Sequence, residues 1–235
     1  MENQNLFKWK HYQPEIILLT VRWYLRYKLS FRDLVEMTEK RGLSIAHTTI
    51  MRWVHQYGPE LDKRIWRHLK QTNDSWRVDE TYIKVKGQWM YLYRAVDSEG
   101  NTIDFYLSKT RDHKAAKRFF KKALRSLHVS TPRVITVDKN PAYPIAIEEL
   151  KNEKRIPVGI RVRQVKYLNN VIEQDHRFIK KRVRSMLGLK SFRTAKSILS
   201  GIGAMHIIKK GQLQQGVKSV QNEIEFIHKL FGVAS

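Results

Sequence analysis

The chain has 235 residues, no cysteine, and 45 lysines and arginines against 22 aspartates and glutamates, for a formal net charge of +23. Without cysteine there is no disulfide, no thiolate metal site and no cysteine nucleophile, and a 42% hydrophobic content supplies a real core and excludes a disordered chain. The charge excess suits a binder of phosphate backbones; a ribosomal-type or membrane-surface protein ranks lower, because acids recur at strand and helix positions where charge is costly.

Residues 1–10 lack the apolar segment of a signal peptide. No uninterrupted apolar run approaches the roughly 20 residues of a membrane helix, and the nine histidines are scattered without zinc-site spacing. A cytosolic protein is expected, which in a bacterium has direct access to DNA, with no membrane partner and no small-molecule cofactor.

Residues 14–58 read as three helices. Pro14 suits a first helical position, and Ile17, Val21 and Tyr24 follow at helical spacing. Ser30 and Asp33 have the spacing of a capping box, and Gly42 is placed to end that second helix. The third carries Ile50, Trp53, Val54 and Tyr57 at i, i+3, i+4 and i+7, with Gly58-Pro59 expected to stop it. Helix, short turn and second amphipathic helix form a helix-turn-helix pattern. His47, Thr48, Thr49, Arg52, His55 and Gln56 lie on its polar face as candidate DNA contacts; a plain bundle with a solvated face is the alternative.

Residues 61–75 look like a basic helix running into a polar linker. The pattern then changes to 76–86, 88–97 and 102–109, rich in aromatic and β-branched residues and separated by Gly87 and by Ser98-Glu-Gly-Asn101. Three consecutive antiparallel strands are expected. Residues 114–127 form a helix with Ala115, Phe119, Ala123 and Leu127 on one side, followed by a strand at 133–138. A helix near 143–150, a strand near 160–165 and a helix from Asn169 complete the set, with two more helices after Gly188. This is the layout of an RNase H-like α/β domain with a mixed five-stranded sheet. The expected domains are a helix-turn-helix at 1–65, a linker at 66–75, the RNase H-like domain at 76–188 and a C-terminal helical extension at 189–235.

Three acids occupy distinct places in this plan. Asp79 lies in the first strand, Asp138 ends an apolar strand, Val134-Ile-Thr-Val137, and Glu173 starts a basic helix; the gaps are 59 and 35 positions. Hard divalent cations, Mg2+ or Mn2+, take such oxygen ligands, and two of them suit in-line phosphoryl transfer. Asp79 shares strand parity with Thr81, Ile83 and Val85, a poor place for an unpaired charge, whereas Glu80 points the other way and is expected to be solvated. Salt bridging for Asp79 and Glu173, and a turn-forming role for Asp138, are the bland alternatives. On the Glu173 helix Glu173, Arg177, Lys180 and Arg184 fall on one stripe, while Asp175 turns toward the apolar side. Lys166, Lys180, Lys181, Arg182 and Arg184 are expected to bind phosphates without reading sequence. Trp66, Trp76, Trp89 and Tyr167 are expected in the core rather than stacked on bases.

Asp79-Glu-Thr-Tyr-Ile-Lys-Val-Lys-Gly87, Val137-Asp-Lys-Asn-Pro-Ala-Tyr143 and the stretch from Lys166 through Asn169-Asn-Val-Ile-Glu-Gln-Asp-His-Arg177 to Arg182 closely resemble the DDE transposases of the insertion sequence six family. The resemblance runs over nearly the whole chain. It implies a catalytic, metal-binding triad of Asp79, Asp138 and Glu173, with Lys180 at the family's basic position. It further implies a helix-turn-helix that binds terminal inverted repeats, nicking followed by 3′-hydroxyl strand transfer, cointegrate formation, and a homo-oligomer bridging two ends of double-stranded DNA. A non-enzymatic helix-turn-helix regulator and a structure-specific nuclease on the same fold are the competing readings.

Overall fold

A computed structural model describes residues 6–165, 170–186 and 189–233. In chain order the elements are α1 (Pro14–Arg26), α2 (Phe31–Glu39), α3 (His47–Ile65), β1 (Ser75–Val85), β2 (Gln88–Asp97), β3 (Thr102–Ser108), α4 (His113–Ala123), β4 (Val134–Val137), α5 (Ala142–Asn152), β5 (Arg161–Gln164), α6 (Asn170–Arg184), α7 (Phe192–Lys209) and α8 (Val220–Phe231). They fall into two compact units. One comprises Met1–His68, Arg184–Leu187 and Phe192–Ser235; the other comprises Leu69–Val183 and Gly188–Ser191.

The first unit is helical. Pro14 begins α1, and Ser30 and Asp33 close a reciprocal capping box on α2, satisfying two otherwise orphaned backbone donors. Gly42 takes a φ of 74° just beyond α2, a left-handed geometry that glycine adopts at little cost. The expected stop at Gly58-Pro59 is not observed: α3 continues to Ile65 with Pro59 inside it. The proline removes one backbone donor, but the buried stripe Ile50, Trp53, Val54, Tyr57, Leu61 and Ile65 holds the helix on both sides of it. Gly58 also lets α7 cross closely. A Cβ on Gly201 would lie 3.0 Å from the Gly58 Cα and 2.8 Å from the Leu25 methyls. Residues 192–233, which the sequence pattern sets apart as an extension, thus pack with α1 and α3 in one unit. Glu223 of α8 pairs with Arg22 and Arg26 of α1 at 2.7 and 2.5 Å.

The second unit is built on a five-stranded sheet of order β3-β2-β1-β4-β5. β1, β2 and β3 are antiparallel neighbours, and β4 and β5 add on in parallel. With α4, α5 and α6 this is the RNase H-like α/β plan. One face carries the core, where Trp76, Val78, Tyr93, Ile135 and Val137 pack against Phe119 and Phe120 of α4 and Tyr143 and Ile147 of α5. Leu127, expected on the apolar side of α4, is instead 81% exposed, because α4 ends at Ala123 before its period reaches that residue. α6 buries Ile172 and Ile179 as expected. It also buries Arg182, which removes that side chain from the phosphate-facing set.

Candidate active site

Parallel pairing fixes the two aspartates. The β1–β4 ladder joins Ser75 to Val134, Trp76 to Ile135 and Arg77 to Thr136, an offset of 59. The same 59 positions separate Asp79 from Asp138, so the two stand level on neighbouring strands. All four residues of β4 are buried, and Asp138 follows directly at its carboxyl end, where open α/β sheets place their ligands. Among the described residues Asp79, Glu80 and Asp138 each offer one carboxylate oxygen, all within 4.8 Å of one another.

Glu80 corrects a sequence expectation. It does point to the face opposite Asp79, yet it is buried rather than solvated. Tyr143 and Arg111 donate to its carboxylate, and the Asn140 Nδ2 donates at 3.2 Å. The Tyr143 hydroxyl pKa is pushed well above the usual tyrosine range by burial and by Glu80, so it remains a donor. Asn140 links the cluster together. Its backbone N–H donates to Asp138 Oδ1 at 3.0 Å, and its own Oδ1 accepts from Ala142 N at 3.0 Å as α5 begins. Arg111 also reaches Asp138 Oδ2 at 3.8 Å. Burial raises the Asp138 pKa, Glu80 and Asp79 raise it further, and the Asn140 N–H and Arg111 work against them. With these oxygens within 4.8 Å of one another, each pair of ionised carboxylates repels by at least about 3 kcal/mol at an effective dielectric of 20. One guanidinium does not neutralise three carboxylates, and an oxygen-only donor set with residual negative charge fits a hard divalent cation.

α6 is tied to the opposite face. Arg94, the cross-strand partner of Asp79, donates through Nε to Asp175 Oδ2 at 2.5 Å; both side chains are almost wholly buried. That is the structural role expected for Asp175. His176 Nε2 lies 3.4 Å from Asp79 Oδ2, a neighbour that sequence spacing did not reveal. Glu173 sits three residues before His176, exposed in the first turn of α6 and outside the three-oxygen group. Three-residue spacing puts Glu173 within one helical turn of the buried His176. Arg177, Lys181 and Arg184 are exposed and Lys180 half-buried on the same helix. Lys166 and Tyr167 lie outside the described residues.

On α3, His47, Thr48, Arg52 and Gln56 are exposed, while Thr49 and His55 are half-buried. Burial lowers the His55 pKa, which favours a neutral ring able to donate or accept. Gln56 accepts from the Lys10 ammonium at 3.3 Å.

The DDE domain family matches residues 73–212. The chain is 39% identical over 207 residues to the transposase for insertion sequence-like element IS431mec of Staphylococcus aureus (strain Mu50), covering 88% of this chain and 89% of the relative. Identity and coverage are the same for the S. aureus transposase for insertion sequence element IS257 in transposon Tn4003. Among solved structures, the HTLV-2 integrase catalytic core domain in complex with magnesium is 19% identical, with a TM-score of 0.39 over 49% of this chain and 72% of that one. The catalytic core domain of BIV integrase is 11% identical, with a TM-score of 0.41 over 65% of this chain and 94% of that one.

Proposed function

We propose that this chain, which belongs to the DDE transposases of the insertion sequence six family, joins element ends to target DNA by 3′-hydroxyl strand transfer. It is a DNA transposase, an enzyme of phosphoryl transfer. Asp79, Asp138 and Glu173 are the proposed catalytic carboxylates and would hold two divalent cations, Mg2+ or Mn2+. When bound, such cations lower the pKa of a water or a 3′-hydroxyl and stabilise charge at the phosphate. The observation that carries this reading is the level placement of Asp79 and Asp138, set by the 59-residue ladder offset.

The remaining roles fall to the chain's own side chains. Glu80, held by Tyr143, Arg111 and Asn140, braces the end of β4. His176 and the Arg94–Asp175 pair hold α6 against β1, the helix whose first turn carries Glu173. Arg177, Lys180, Lys181, Arg184 and Lys166 bind phosphates without reading sequence. His47, Thr48, Thr49, Arg52, His55 and Gln56 of the helix-turn-helix read the terminal inverted repeats. Nicking and joining without excision yields cointegrates, and a homo-oligomer on the bacterial nucleoid bridges two ends.

Asp138→Asn is expected to abolish metal-dependent strand transfer and to leave end binding intact, read on one labelled end fragment by gel shift and joining assay. Equal loss of both activities would favour a regulator, and cuts without joined products a nuclease.

A further inference from the structure

Among the described residues, the sheet face that α4 and α5 cover at Trp76 and Val78 is more open farther along β1, beyond the partly buried Tyr91. Tyr82 is 44% exposed there, and Trp89 is 61% exposed, against the sequence expectation that Trp89 belongs to the core. The register sets Tyr82 opposite Tyr91 and Lys84 opposite Trp89, so all four share one face. The Tyr82 and Trp89 ring centres are 6.4 Å apart, edge to face, and those of Tyr82 and Tyr91 are 5.3 Å apart. Lys84 Nζ lies 5.7 Å from the Trp89 ring centre.

This strip starts at the acid cluster. Glu80 precedes Tyr82 on the same face of β1. At the strand rise of about 3.3 Å per residue, Tyr82 stands roughly 7 Å and Lys84 roughly 13 Å beyond Glu80. Between Glu80 and Asp97 the sequence holds Lys84, Lys86 and Arg94 and no carboxylate. Exposed rings beside lysines match two features of an unpaired nucleic-acid strand, its π faces and its phosphates. A second copy of the chain is a poorer occupant, because a two-fold contact would set this acid-free basic strip against itself.

We propose that Tyr82, Tyr91 and Trp89, with Lys84, form a stacking platform for a few unpaired nucleotides of the strand that enters the acid cluster. The identity of that strand rests on the transposase reading; the platform's preference for single strands does not. The test uses the full chain in EDTA, with fluorescence anisotropy on a labelled oligo-dT single strand and on a blunt duplex of equal length. Tyr82→Ala and Trp89→Ala are each expected to lose single-strand affinity at least about 5-fold, Trp89→Phe to keep it, and all three to bind duplex as the parent does. Both replaced rings are exposed, so unchanged thermal melts are expected to accompany the loss. Equal loss on both substrates, or no loss on either, overturns the proposal. A change of oligomeric mass in the alanine variants by light scattering also overturns it and makes the face a contact between copies. No cleavage is needed, so a failed strand-transfer assay leaves this result readable.

Discussion

Asp138 carries two opposed demands. Burial and the carboxylates of Glu80 and Asp79 push its pKa up, while a cation site needs it ionised. The sign follows from linkage. A carboxyl whose folded pKa is raised favours the fold while protonated, and this contribution is withdrawn as pH rises through the raised value. Asp138→Asn stays neutral and can accept the same Asn140 N–H. In EDTA at neutral pH this variant is therefore expected to melt a few degrees above the parent by circular dichroism, with the gap closing below about pH 4. A lower melting point for the variant at neutral pH would mean that Arg111 outweighs the repulsion. Asp138 was legible in the sequence because an acid at the end of an apolar strand is conspicuous, and Asp79 because its strand parity sets it among apolar side chains; their 59-position spacing equals the offset of the ladder. Glu80 was legible only in direction. Its burial depends on Tyr143, Arg111 and Asn140, which come from 31 to 63 positions away, and no local pattern announces such partners. His176 escaped notice for the same reason.

Helices and strands were legible to the degree that local period decides them. The three antiparallel strands, β4 and the apolar stripe of α6 follow from alternation and 3.6-residue spacing, and the capping box of α2 from two residue types. α3 did not follow, because Gly58-Pro59 is a strong local stop that tertiary burial overrode. Its crossing with α7 permits a test that separates packing from propensity. Replacing a helical glycine by alanine gains about 1 kcal/mol of intrinsic preference. At Gly58 the added Cβ would meet its nearest atom at 3.4 Å, so Gly58→Ala is expected to be neutral to mildly stabilising. At Gly201 the same atom would meet backbone at 3.0 Å and Leu25 at 2.8 Å. Overpacking of that kind costs about 1–3 kcal/mol, which outweighs the gain, so Gly201→Ala is expected to destabilise. Chemical denaturation of both variants checks the pair, and equal shifts would remove the close crossing as the cause.

At the scale of the whole molecule, the sequence could place boundaries only where composition changes. It could not show that helices 127 positions apart share one core, since Ile65 ends α3 and Phe192 begins α7. A helix with an apolar stripe needs a partner to bury it, and α3 finds its partner in α7. A fragment of residues 1–68 is thus expected to show no cooperative thermal transition by circular dichroism, whereas residues 69–191 are expected to melt cooperatively. A sharp transition in the shorter fragment would establish that α1, α2 and α3 suffice alone.

Translation runs from the amino end, so α1 to α3 leave the ribosome long before α7 is made. At about 5–20 residues per second, the delay is on the order of 10 s. Through that interval the sheet of β1 to β5 can close, while the earliest-born helices wait with their greasy sides unclad. A nascent product halted before Phe192 would then bear the acids but an unfinished helical unit, and under the proposed role of that unit in reading DNA it would be a poor competitor for the element's ends.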